Sequence, residues 1–164
     1  MPRKQRALKR PTILPDKKYS SLLISRLINR VMWDGKKTIA SGIVINALEQ
    51  AGTELEVNPI DLLTTAVDNV KPQVEVKSMR VGGANYQVPI EPYPARQLRL
   101  GLTWIVNSAR TIKGQPMVSK LKRILVESYQ GTGPAVAKRN SVHQTAAGNK
   151  AFAHFAMRGK NKKS

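Results

Sequence analysis

The chain has 164 residues, 41% of them hydrophobic, and carries 28 Lys and Arg against 10 Asp and Glu for a formal charge of +18. That length suffices for one domain with a sizeable core, while the charge opposes compaction of the free chain and favours a polyanionic partner. No stretch reaches the roughly 18 apolar residues of a membrane span, no apolar run follows the basic start as in a secretory signal, and the absence of Cys removes disulfides and thiolate metal sites.

Residues 1–18 read as a basic extended arm. Arg3, Lys4, Arg6, Lys9 and Arg10 stand there without an acid among the first ten residues, and Pro2, Pro11 and Pro15 discourage helix. Such an arm is expected to order when phosphates neutralise it; a solubilising tail is the bland alternative. A first helix is predicted from Ser20 to Trp33, with Leu23, Leu27, Ile28 and Val31 as its apolar stripe and Arg26 and Arg30 one turn apart on the other side. Asp34-Gly35 stops it. The second helix runs from Lys36 or Lys37 to Gln50 on Ala40, Ile43, Val44, Ala47 and Leu48. Lys36 and Lys37 therefore sit at a helix start, where the dipole disfavours cations. That placement suggests a nearby phosphate, the alternative being two solvated lysines in a turn.

Asn58-Pro59 opens a third helix, a capping side chain ahead of proline at the first helical position, and Pro72 ends it. Its buried face is Leu63, Ala66, Val67 and Val70. Acidic residues gather in this region (Glu49, Glu54, Glu56, Asp61 and Asp68), which is expected to face away from a nucleic acid, towards solvent or a basic neighbour. Residues 73–91 then read as a β-hairpin. Two β-branched runs flank Gly82-Gly83, the pair that supplies positive φ in a tight turn. Alternation sets Val74 and Val76 on one face and Glu75, Lys77 and Met79 on the other, and Pro89 keeps the ribbon at an edge or free-standing. With Lys77 and Arg80 near its tip, the ribbon is expected to touch something anionic; packed on the domain with its charges solvated, it would need no ligand.

A fourth helix is predicted from Ala95 to Thr111, with Leu98, Leu102, Ile105, Ala109 and Ile112 inward and Arg96, Arg99, Arg110 and Lys113 off the stripe. Trp104 is read as partly buried. The fifth, Met117 to Tyr129, buries Val118, Leu121, Ile124 and Leu125; the sixth, Ala135 to Phe155, is rich in small residues and weakened at Gly148. A second basic tail spans 157–164. The fold class is mainly α: a bundle of about six helices in residues 19–156, with a hairpin protruding between the third and fourth and basic extended termini.

Catalytic and metal signatures are missing from this pattern. His143 and His154 are the only histidines and no Cys joins them, so a zinc site lacks ligands. Gly35-Lys36-Lys37-Thr38 resembles the end of a phosphate-binding loop, but Arg30 stands at the required earlier glycine. Gly131-x-Gly133 is followed by proline and has no preceding strand, which removes the dinucleotide reading. No enzyme activity, cofactor or metal is expected.

The segment Lys77-Ser78-Met79-Arg80-Val81-Gly82-Gly83-Ala84-Asn85-Tyr86-Gln87-Val88-Pro89 resembles the hairpin signature of bacterial-type small-subunit ribosomal protein seven. Three further blocks match in the family's order: Asp34 to Lys37, Arg99 through Trp104-Ile105-Val106 to Arg110, and Lys138-Arg139, His143 and Asn149 to His154. Departures are Met79, where the family usually has a second Arg, Ala84 and Asn85, near which it carries Ser or Thr, and Ala147 and Gly148, where it commonly has an acid and Ala. The resemblance implies a structural protein that binds the 3′ major domain of small-subunit rRNA, nucleates assembly of the head and borders the tRNA exit site near the mRNA path. Carried onto this chain, the rRNA contacts are the five arm cations, Lys36, Lys37, Lys77, Arg80, Arg96, Arg99 and Arg110. The exit-site border is Gly82, Gly83, Ala84 and Asn85 with Arg139, His143 and Lys150. Implied partners are the rRNA, exit-site tRNA, mRNA and neighbouring head and platform proteins, in a ribosome of the bacterial cytoplasm or of an organelle. Neither a membrane nor a homo-oligomer is expected.

The residues alone admit a second reading, a protein that compacts or reads DNA. Against it, the hairpin is short and no helix-turn-helix presents a base-reading face of Asn, Gln and Arg. Dispersed cations suit folded RNA, which is recognised largely through shape and phosphates.

Overall fold

The computed structural model describes residues 12–155, so Arg3, Lys4, Arg6, Lys9 and Arg10 and the 157–164 tail lie outside the described residues. Chain order is α1 (Leu22–Val31), α2 (Lys37–Leu55), α3 (Pro59–Val70), β1 (Glu75–Val81), β2 (Ala84–Ile90), α4 (Pro94–Thr111), α5 (Met117–Tyr129) and α6 (Gly133–Gly148), followed by a 3-10 turn at Lys150–Phe152. The chain is mainly helical, and among the described residues two strands form one antiparallel ribbon between α3 and α4. α5 occupies the centre, against α2, α3, α4 and α6, with Leu121 and Leu125 fully buried and Ile124 nearly so. Each such side chain contributes about 1.5–3 kcal/mol of transfer free energy. The core is aliphatic, as the composition implies.

Helix α1 is shorter than its periodicity suggests. The Asp16 carboxylate accepts the amides of Lys18 (3.0 Å) and Tyr19 (3.3 Å), and its carbonyl accepts that of Ser20 (2.9 Å). This turn draws Ser20 into the left-handed region and folds 16–18, which the proline pattern assigns to the extended arm. The inward face also differs: Ile24 is fully buried, while Leu23 is only partly so.

Helix α2 continues five residues past Gln50, to Leu55. A glycine inside a helix weakens it, which is why the helical signal in the sequence breaks off there. Gly52 is retained by a close approach: a Cβ on it would lie 2.9 Å from the Val57 carbonyl oxygen and 3.3 Å from Pro59. The helix then closes on Glu56 in the left-handed conformation. At α3 the predicted cap forms, with Asn58 Oδ1 accepting the Ile60 amide at 3.0 Å.

Helix α6 stops at Gly148, whereas the composition suggests continuation to Phe155. Only Ala135, Val136 and Ala146 are buried along it, so little tertiary packing carries the helix past that glycine. Asn149 turns the chain, its amide (3.2 Å) and side-chain Nδ2 (2.9 Å) both donating to the Thr145 carbonyl. Helical backbone returns at His154 and Phe155.

In the hairpin, Glu75 pairs with Ile90 and the register runs to Val81 opposite Ala84. Gly82 and Gly83 close the loop at φ +58° and +90°, the double positive φ that a two-residue turn requires. Pro89 pairs with Val76 in a ribbon where both strands are edges. The ribbon is less free-standing than its sequence suggests. Val88 is fully buried, and Tyr86 lies 5.1 Å from the Phe152 ring and 5.3 Å from that of Phe155. The C-terminal segment thus grips β2, and α6 packs on β1.

Candidate nucleic-acid interface

Helices α1 and α4 pack side by side and leave a groove of about 370 Å³ between them. Arg26, Asn29 and Arg30 line it from α1, and Arg99, Leu98 and Leu102 from α4. Ile13 also lines it, so the chain enters the fold at this groove. Of these cations only Arg99 is among the predicted contacts. The signal for the others is legible: Arg26 and Arg30 are one helical turn apart and off the apolar stripe. No local rule, however, aims that face at α4.

One end of the same two helices carries the Asp34–Lys37 turn. Lys36 donates its amide to the Trp33 carbonyl at 3.0 Å and Lys37 donates to that of Gly35 at 2.8 Å. Both lysines are exposed, form no ion pair among the described residues, and stand at a helix start whose first turn has no acid. Arg110 reaches this end from α4. Its Nη2 donates to the Val31 and Arg30 carbonyls (3.3 and 3.4 Å), satisfying acceptors at the end of α1. Its guanidinium carbon lies 5.2 Å from the centre of the Trp33 ring.

The remaining predicted cations divide by their partners. Lys77 and Arg80 lie on β1, opposite Val88 and Asn85, and both are exposed. Arg96 is held internally: its Nε donates to both carboxylate oxygens of Glu75, at 2.7 and 2.8 Å, and fastens α4 to the base of the hairpin. Arg139 and His143, one turn apart on α6, bind the last turn of α3 and its connection to β1. Arg139 donates to the Asn69 carbonyl and to Asn140 Oδ1, and His143 Nε2 accepts the Gln73 amide at 3.1 Å. Burial pushes the His143 pKa below its ordinary value, with the Arg139 charge adding to the effect. Its neutral form is the one that can accept. The hairpin tip, Gly82 to Asn85, is exposed and stands about 20 Å along the strands from this root. The predicted border residues therefore occupy two places, with Lys150 exposed on the 3-10 turn beside β2.

The acidic residues largely serve internal partners. Glu49 accepts from Lys18 and from the Tyr19 hydroxyl (3.3 Å), Glu54 pairs with Lys122 at 2.6 Å, and Asp68 pairs with Lys71 at 2.7 Å. The Lys18 hydrogen bond lowers the Glu49 pKa and raises that of Lys18; burial raises that of Tyr19. These contacts tie the start of the fold to α2, leaving the groove cations unneutralised by them. Among the described residues no group of three His, Cys, Asp or Glu could hold a metal, and no helix is long and apolar enough to cross a membrane.

Residues 2–150 match the family described as ribosomal protein S7p/S5e. The chain belongs to that family. It is 48% identical to the small ribosomal subunit protein uS7 of Petrotoga mobilis over 152 residues, covering 93% of this chain and 98% of the relative. It is similar also to the uS7 proteins of Thermosipho africanus (51% identical, 86% of this chain and 91% of the relative) and Thermotoga maritima (47%, 93% and 98%). The S7p/S5e family is structural and non-enzymatic. Its matched span takes in the groove, the lysine turn and the hairpin together.

Proposed function

We propose that this chain is a structural constituent of the small ribosomal subunit, binding the 3′ major domain of the rRNA and nucleating assembly of the head. The observation that carries the rRNA contact is the Arg26–Arg30–Arg99 groove, an open cationic cleft at the place where the basic arm joins the fold. The arm cations, Lys36, Lys37, Lys77 and Arg80 extend that contact over a broad surface, as phosphate-led recognition of a folded RNA requires. Arg96 and Arg110 hold the frame as well as adding charge. Gly82 to Asn85, with Arg139, His143 and Lys150, form the side facing exit-site tRNA and mRNA. Neighbouring head and platform proteins complete the surroundings, in the ribosome of a bacterial cytoplasm.

A salt titration of binding to a head-domain rRNA fragment, against a scrambled RNA of equal length, tests this. Preference for the native fragment that survives physiological salt is expected. Equal binding to both RNAs, vanishing together as salt rises, would leave a polycation without a specific rRNA site and return the DNA-compacting reading.

A further inference from the structure

Trp33 is an unusual residue to find where it is. It closely follows the last buried residues of α1, and 66% of it is open to solvent. Core packing does not explain so much exposed indole, and Trp104, the second tryptophan of the chain, is half-buried by contrast. The position of Trp33 is nevertheless well defined. Its carbonyl accepts the Lys36 amide, and the Arg110 guanidinium, itself anchored to the Arg30 and Val31 carbonyls, lies over its ring. Ile39, 61% exposed, and the exposed Lys36 and Lys37 belong to the same turn and the helix start after it, with Asp34 the single acid among them.

A fixed, exposed aromatic plane beside cations is what a protein offers to an unpaired base. The ring stacks on the base while lysines meet the flanking phosphates. We infer that Trp33 is a stacking platform for one unpaired nucleotide of the bound RNA, with Arg110 as its support and Lys36 and Lys37 as phosphate contacts. This rests on the rRNA-binding reading above and deepens it: the Asp34–Lys37 turn selects a bulge, loop or internal-loop nucleotide, whereas the α1–α4 groove meets phosphates alone.

The test uses the full chain. In a Trp104→Phe variant Trp33 is the only tryptophan, and its emission is followed against the head-domain rRNA fragment and against the same fragment annealed to its full complement. Quenching by the fragment but not by the duplex is expected. In the otherwise unsubstituted chain, Trp33→Ala weakens fragment binding about five-fold or more with an unchanged salt slope, and Trp33→Phe retains most of the affinity. Fragment affinity unaltered by Trp33→Ala overturns the platform while leaving the rRNA reading intact, provided that native RNA is still preferred over scrambled. Emission unmoved in the complex also overturns it, assigning the ring to solvent or to a protein neighbour. Loss of the native-over-scrambled preference in the unsubstituted chain sinks both readings together.

Discussion

At His143 a single hydrogen bond joins two parts of the chain seventy residues apart, and its direction has a pH consequence. The imidazole accepts from Gln73, so only the neutral form makes the bond. Its folded pKa lies below the unfolded value near 6.5 because burial and Arg139 disfavour the imidazolium. The unfolded chain then binds the proton first as pH falls. The contribution of His143 to stability is therefore complete above about pH 6.5 and declines as pH falls towards and through the folded pKa. Denaturant unfolding at pH 7.5 and 5.5 should show a stability loss on acidification that shrinks in His143→Gln; an equal loss in both proteins would remove this residue from the pH response. Arg96 and Arg110 carry a related lesson. Their place off an apolar stripe makes both of them candidate RNA contacts, yet Arg96 meets a carboxylate and Arg110 a pair of carbonyls and an indole. Off-stripe position identifies a polar face without naming its partner.

Among the elements, α2 and α6 show opposite fates for a helical glycine. Gly52 lies where α2, the start of α3 and the Val57 carbonyl crowd together, and the helix runs through it. Gly148 is exposed with open space around the missing Cβ, and α6 ends there. Tertiary contact decides between the two outcomes, since the intrinsic helical cost of about 1 kcal/mol is the same. Gly52→Ala should accordingly destabilise the fold by about 1–2 kcal/mol despite alanine's higher helix propensity, because backbone at 2.9 Å cannot move aside as a flexible side chain would. The midpoint of urea denaturation measures this, and a midpoint equal to or above that of the unsubstituted chain would show that the α2–α3 junction relaxes freely. The hairpin follows the same logic. Its turn is local chemistry, while its attitude depends on Tyr86, Phe152 and Phe155 and on the Glu75–Arg96 pair.

For the molecule as a whole, the distribution of charge matters more than the total. Three of the acidic residues between Glu49 and Asp68 are engaged by lysines of the chain itself, and Arg26, Arg30 and Arg99 converge on one groove. Ile13 lines that groove, and on the rRNA-binding proposal deletion of residues 1–10 should weaken rRNA binding. The slope of log affinity against log salt should fall by roughly 0.7–0.9 for each phosphate that the arm neutralises. The helical circular dichroism of the core should be unchanged. An unaltered slope would exclude the arm from phosphate binding.

The sequence alone determined the helix count, the limits of α5, the Asn58-Pro59 start of α3, the two-residue hairpin and the family. The structural features among these depend on signals that act within a few residues of themselves: apolar spacing, a capping side chain, a proline ring, or two glycines with positive φ. The tertiary structure decided which arginines remain open to a ligand, where α2 and α6 end, and that Arg26 and Arg30 meet Arg99 across a cleft. Those outcomes depend on groups from distant segments competing for the same space and the same hydrogen bonds. Periodicity along the chain records that one side of a helix turns away from the core; it holds no record of what stands opposite.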